Sequence, residues 1–178
     1  MLLTETHRLY KAKDSLHYDL VMNLLVASKN LYNKANYYVR QAMFIGRDLK
    51  ENKELNIDRK NTLNEINNLI EQGNKRKIKR ALNSKNKRSP KLFGLVTSNN
   101  YYLDYYRVES MLQESDLYKS LPAQSSQQIL RQLDSNWKAF FNANNKYNKS
   151  SKGFLGRPKL PKYKKAEISN LILTGGLQ

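Results

Sequence analysis

Leu16, Leu20, Leu24, Ala27, Leu31, Ala35, Tyr38 and Ala42 recur at intervals of four and three. That spacing places them on one face of an α-helix and predicts that the face is buried. Asp14 or Ser15 suits the cap, and Gly46 the terminator after Phe44-Ile45. A second helix is predicted over roughly 58–72, with Leu63, Ile66, Leu69 and Ile70 on one side and Gly73 as its break. Residues 99–120 read as a third helix. Pro122 suits the first turn of a fourth, whose stripe is Ile129, Leu130, Leu133, Trp137, Phe140 and Phe141. Residues 142–152, rich in Asn and Lys, read as a linker. Alternating residues at 4–13 and the run Ile168–Thr174 read as strands. The chain is thus predicted to be α+β and mainly α, a helical body at 14–149 held between β parts at 1–13 and 150–178.

Charge narrows the partner. The 178 residues carry 32 Lys+Arg against 15 Asp+Glu, a formal net charge of +17. A single-sign excess of this size repels itself unless a polyanion screens it, and nucleic acid is the commonest polyanion. A hydrophobic share of 39% supports a core of modest size. The 12 tyrosines suit stacking at a wet interface and equally suit half-buried packing. No cysteine is present, which removes disulfides, thiolate zinc sites and a cysteine nucleophile. No run approaches the length of a membrane span, so no membrane partner is expected and a cytoplasmic location is.

Catalytic patterns are absent. His7 and His17 have no acidic neighbours at ligand spacing and read as packing or surface residues. "GNKRK" lacks the second glycine and the Ser/Thr of a phosphate loop. Binding patterns are richer. Residues 75–91 hold nine Lys/Arg and no acid. Lys75, Arg76, Lys77, Lys79 and Arg80 open that run. It reads either as a solvated loop or as a clamp on phosphates. In 146–165, eight cations, among them Arg157, Lys159, Lys162, Lys164 and Lys165, alternate with Tyr147, Phe154 and Tyr163. Pro158 and Pro161 hold the segment extended, so it reads as a basic ribbon for a phosphate backbone. Gln124, Gln127 and Gln128 open the last helix; they form a polar face, or reach a base edge in a DNA groove.

The stretch from "YYLDYYRVESML" through "LPAQSSQQILRQLD" and "WKAFF" to "GRPKLPKYK" resembles the N-terminal half of TnpB, the OrfB-type protein of bacterial insertion sequences. "HRLYKAK" and "LLVASKNLYNKA" are similar to that family's opening strand and first helix. The resemblance implies a helical recognition domain inserted into a small, partial oligonucleotide-binding-like β-barrel, the wedge domain. It implies a guide RNA scaffold and double-stranded DNA with a target-adjacent motif as partners, guide pairing supplying the remaining specificity. Carried over, the motif-reading positions fall on Ala123, Gln124 and Gln127, and near Thr174 and Gly175. The ribbon matches through Gly156, Pro158 and Lys159. Full-length relatives cut DNA with a RuvC domain that uses magnesium, beside a zinc ribbon. The matched half carries neither, so no cofactor is expected, and the chain is expected to bind without cutting. A regulator or adaptor using the same surface is the alternative.

Overall fold

The computed structural model of the chain describes residues 16–84 and 89–165. Five helices follow one another: α1 (Leu16–Lys50), α2 (Ile57–Leu82), α3 (Tyr105–Leu112), α4 (Asp116–Lys119) and α5 (Ala123–Lys149). Local chemistry fixes several of the starts. Asn56, Asp104 and Ser115 stand in extended backbone, and their side chains accept from the N–H groups of Arg59, Arg107 and Tyr118. Pro122 precedes α5 and offers no side-chain cap.

The apolar stripes meet in one core. Leu31, Tyr32, Ala35, Tyr38, Val39 and Ala42 of α1 face Ile66 and Ile70 of α2 and Ile129, Leu130, Leu133 and Trp137 of α5. Val108, Met111 and Leu112 of α3 close it from the side. The stripe is buried only from about Ser28 onward, and Leu20 is 57% exposed.

Five expectations need correction. Among the described residues there is no strand and no sheet, only an isolated bridge between Thr97 and Asn100. The α+β class with a wedge barrel therefore gives way to an all-helical architecture. The strands expected at 4–13 and 168–174 lie outside the described residues. Residues 150–165 are described and hold no strand: a turn at 152–153 and a bend at 155–156 lead into an irregular run at 157–165. Pro158 and Pro161 have no N–H to give a ladder, and the segment is bonded instead by side chains of α1.

Gly46 does not end α1, and Gly73 does not break α2. Both are contact points. A Cβ on Gly46 would lie 2.0 Å from the Tyr101 Cβ, and one on Gly73 would lie 2.2 Å from the Ser110 hydroxyl oxygen. The single helix expected at 99–120 is two short ones, α3 and α4, because capping by Asp104 starts the helix late. The 142–152 linker is helical as far as Lys149. Gly153, at φ 87°, then makes the left-handed turn into the ribbon.

Candidate nucleic-acid interface

The ribbon is held at its C-terminal part. Asn33 donates from its amide to the Lys164 carbonyl at 2.9 Å and accepts from the Lys164 N–H at 2.8 Å. Asn36 donates to the Pro161 carbonyl at 3.1 Å. Arg40 also donates to that carbonyl, and its guanidinium lies 4.6 Å from the centre of the Tyr163 ring. Residues 33, 36 and 40 follow helical spacing, so one face of α1 grips one extended strand of backbone. Asn36 is fully buried, and its oxygen accepts from the Trp137 indole N–H at 3.0 Å. The grip is thereby tied to the core and to α5.

This clasp was absent from the sequence reading. Its signal was nevertheless present: Asn is a poor helix former, and two of them sit beside the apolar stripe at spacing three.

The grip sorts the ribbon's cations. Lys164 turns inward: its ammonium donates to Gln132 at 3.0 Å and lies 4.7 Å from the centre of the Tyr32 ring. Burial pushes it below the usual lysine range. Lys164 thus braces the fold. Arg157, Lys159, Lys162 and Lys165 are exposed, as is Tyr163 at 44%. Of the five cations from Arg157 to Lys165, four thus face water, and the clasp holds the backbone at Pro161 and Lys164.

The α2 cations divide in the same way. Arg76 donates to the Ser110 carbonyl, Lys77 to the Lys91 carbonyl at 2.7 Å, and Arg80 to the Gln113 side chain at 3.2 Å. The Lys77 ammonium also lies 3.6 Å from the centre of the Phe93 ring, and burial lowers its proton affinity. These three stitch α2 to α3 and to the chain before it. Lys75 and Lys79 share an exposed helix face one turn apart.

Gln124 and Gln127 stand at the start of α5. Gln124 is exposed, whereas Gln127 is half-buried. Thr174 lies outside the described residues.

A groove of about 850 Å³ adjoins the ribbon. Its walls come from the C-terminal halves of α1 and α5, the 98–102 segment, and Arg157, Pro158 and Leu160.

Among the described residues, no three His, Asp or Glu side chains converge to hold a metal ion. With no cysteine in the sequence, a thiolate zinc ribbon cannot be built from it. No described helix is long and apolar enough to cross a membrane. No family model, curated protein or solved structure matches the chain.

Proposed function

We propose that the chain binds nucleic acid along the face carrying Arg157, Lys159, Lys162 and Lys165. We propose further that it does so as the part of a TnpB-like, RNA-guided nuclease that holds the guide RNA scaffold and a target-adjacent DNA motif. The observation that carries nucleic-acid binding is the clasped ribbon: four exposed cations on a segment whose backbone Asn33, Asn36 and Arg40 hold at Pro161 and Lys164. Fixing the backbone before a ligand arrives lowers the ordering cost of binding. The net charge of +17 supplies the long-range attraction. The TnpB-like role rests on "LPAQSSQQILRQLD", "WKAFF" and "GRPKLPKYK". In this reading Gln124, exposed at the start of α5, and the half-buried Gln127 are the motif-reading positions.

The test is a competition gel. A structured RNA from the flank of the chain's own gene is set against scrambled RNA of equal length. The flanking RNA is expected to win, and equal competition would remove the TnpB-like role. Charge reversal at Lys159 and Lys162 is expected to weaken binding to both RNAs alike, since phosphate contacts position without specifying. It should also flatten the salt dependence by about one unit of slope per lost contact.

A further inference from the structure

We propose that the groove beside the ribbon seats one unpaired nucleotide of an RNA strand, with its base on an aromatic floor and its phosphate on a basic rim. This rests on the nucleic-acid reading above and adds to it a subsite that reads single strands.

Phe44 of α1, Tyr101 of the segment before α3, and Phe140 and Phe141 of α5 line the groove; the Phe140 and Phe141 rings are tilted 56° to each other, so one ring offers a base its face, and the Arg47 guanidinium lies 5.7 Å from the centre of the Phe44 ring. This floor is braced from below. Phe141 meets the Tyr102 ring edge-on at 5.1 Å and leans on Trp137 at 5.6 Å. Tyr102 is in turn anchored by its hydroxyl, which donates to Asp134 at 2.7 Å. A stiff floor is what base stacking needs, since little entropy is lost when a base lands on it.

The rim carries Arg47, Lys50 and Arg157, and among the described residues no Asp or Glu lines the groove. The C-terminus of α1 lies here and would ordinarily repel an anion. Its carbonyls at Arg47, Asp48 and Leu49 already accept from the N–H groups of Glu51, Lys53 and Asn52, which mutes that end. Asn99 and Asn144 add amides to the wall, and Ser98 adds a hydroxyl. Amides pair with base edges and hydroxyls with a ribose 2′-OH.

Together these groups select the occupant. A purely apolar ligand has no use for three cations, and a bare anion has no use for an aromatic floor. A base inside a duplex cannot reach the floor without leaving its stack. Unpaired bases of RNA loops and bulges are recognised by aromatic stacking joined to phosphate and 2′-OH contacts. Continuity with the ribbon gives the route. A strand that tracks Lys162 and Lys159 arrives at Arg157, which belongs to both the ribbon and the groove.

The experiment measures the affinity of the whole chain for a short labelled single-stranded RNA. It is repeated with one base at a time replaced by an abasic unit, with the matching RNA duplex, and with single-stranded DNA of the same sequence. One abasic position is expected to weaken binding by roughly 5- to 100-fold, the range for losing one stacked base. Phe44→Ala is expected to cause a similar loss, to abolish the abasic sensitivity, and to leave duplex binding unchanged. Among the described residues Phe44 lines the groove outside the core cluster, with the Arg47 guanidinium 5.7 Å from its ring centre. If circular dichroism showed that variant unfolded, the abasic scan on the natural chain would decide alone. A flat abasic scan, or equal losses on duplex and single strand with Phe44→Ala, overturns the subsite. Single-stranded DNA binding as tightly as RNA, with the same abasic profile, overturns its assignment to RNA. Failure to bind any polyanion would be a different result, removing the nucleic-acid reading itself.

Discussion

At the scale of single residues, Asn36 joins the fold to the interface. It is fully buried in the middle of α1, where an asparagine is neither a good helix former nor a good core residue. Its amide spans two elements, accepting from Trp137 of α5 and donating to the Pro161 carbonyl of the ribbon. Asn36→Ala would leave the indole N–H without this partner, while the Pro161 carbonyl keeps the Arg40 guanidinium. A buried group that loses its partner costs about 1–3 kcal/mol. A loss of about 1–3 kcal/mol is therefore expected in urea denaturation, with faster proteolysis at 150–165 under native conditions. Asn36→Asp separates the two bonds at a pH where its carboxyl is ionised, because a carboxylate still accepts from Trp137 but has nothing to donate to Pro161. It should free the ribbon as the alanine does. A ribbon that stayed protected in both variants would show that Asn33 and Arg40 suffice to hold it.

At the scale of elements, glycine divides what was legible from what was not. The apolar spacing of α1, α2 and α5 could be read directly, since a buried face leaves its period in the sequence. Gly46 and Gly73 were read as ends because glycine does end helices. Here each admits a neighbour instead, Tyr101 against α1 and Ser110 against α2, and such close approaches depend on residues distant in sequence. The ribbon was legible in part for the same reason. Its cations and prolines are local features, whereas the sorting of Lys164 inward and of Lys159 and Lys162 outward is set by Asn33, Asn36 and Gln132. The stitching roles of Arg76, Lys77 and Arg80 were likewise invisible without α3 beside them. A substitution tests the glycine argument. Gly46→Ala gains up to about 1 kcal/mol in helix propensity. Against this, the new methyl meets the Tyr101 Cβ, which can move only with its own backbone. Overpacking of this kind costs about 1–3 kcal/mol. A net loss of stability is expected on urea denaturation, together with a changed shape of the groove that Tyr101 lines. A gain would mean that the 97–104 segment yields, and that Gly46 is tolerated there and not required.

At the scale of the whole molecule, tyrosine hydroxyls tie the elements to one another: Tyr38 and Tyr118 are buried on helices, and Tyr102 is half-buried in the segment before α3. Tyr38 of α1 donates to Glu65 of α2 at 2.5 Å, Tyr102 to Asp134 of α5 at 2.7 Å, and Tyr118 of α4 to Glu109 of α3 at 3.3 Å. Each tie joins elements adjacent in space. Burial first, and then the facing carboxylate, raises the phenol pKa of Tyr38 and Tyr102 well above the usual value. The Tyr118 phenol is pushed up to about 12, by burial and then by the Glu109 charge. The unfolded chain releases these protons near pH 10, while the folded chain keeps them. The folded state then binds more protons than the unfolded one, so stability is complete below about pH 10 and falls as the pH rises above it. Lys77 and Lys164 act in the opposite sense. Their lowered pKa values make the folded state gain stability as the pH approaches the ordinary lysine value. The tyrosines prevail, because their ionisation would set a phenolate against a carboxylate in three separate ties, whereas neutral Lys77 and Lys164 can still donate to Lys91 and Gln132. Titration of phenolate absorbance should therefore show a steep step above about pH 10 that coincides with loss of helical circular dichroism. Tyr102→Phe should shrink that step. One smooth phase near pH 10 with the helices intact would mean that these hydroxyls face water and that the ties contribute nothing to cohesion.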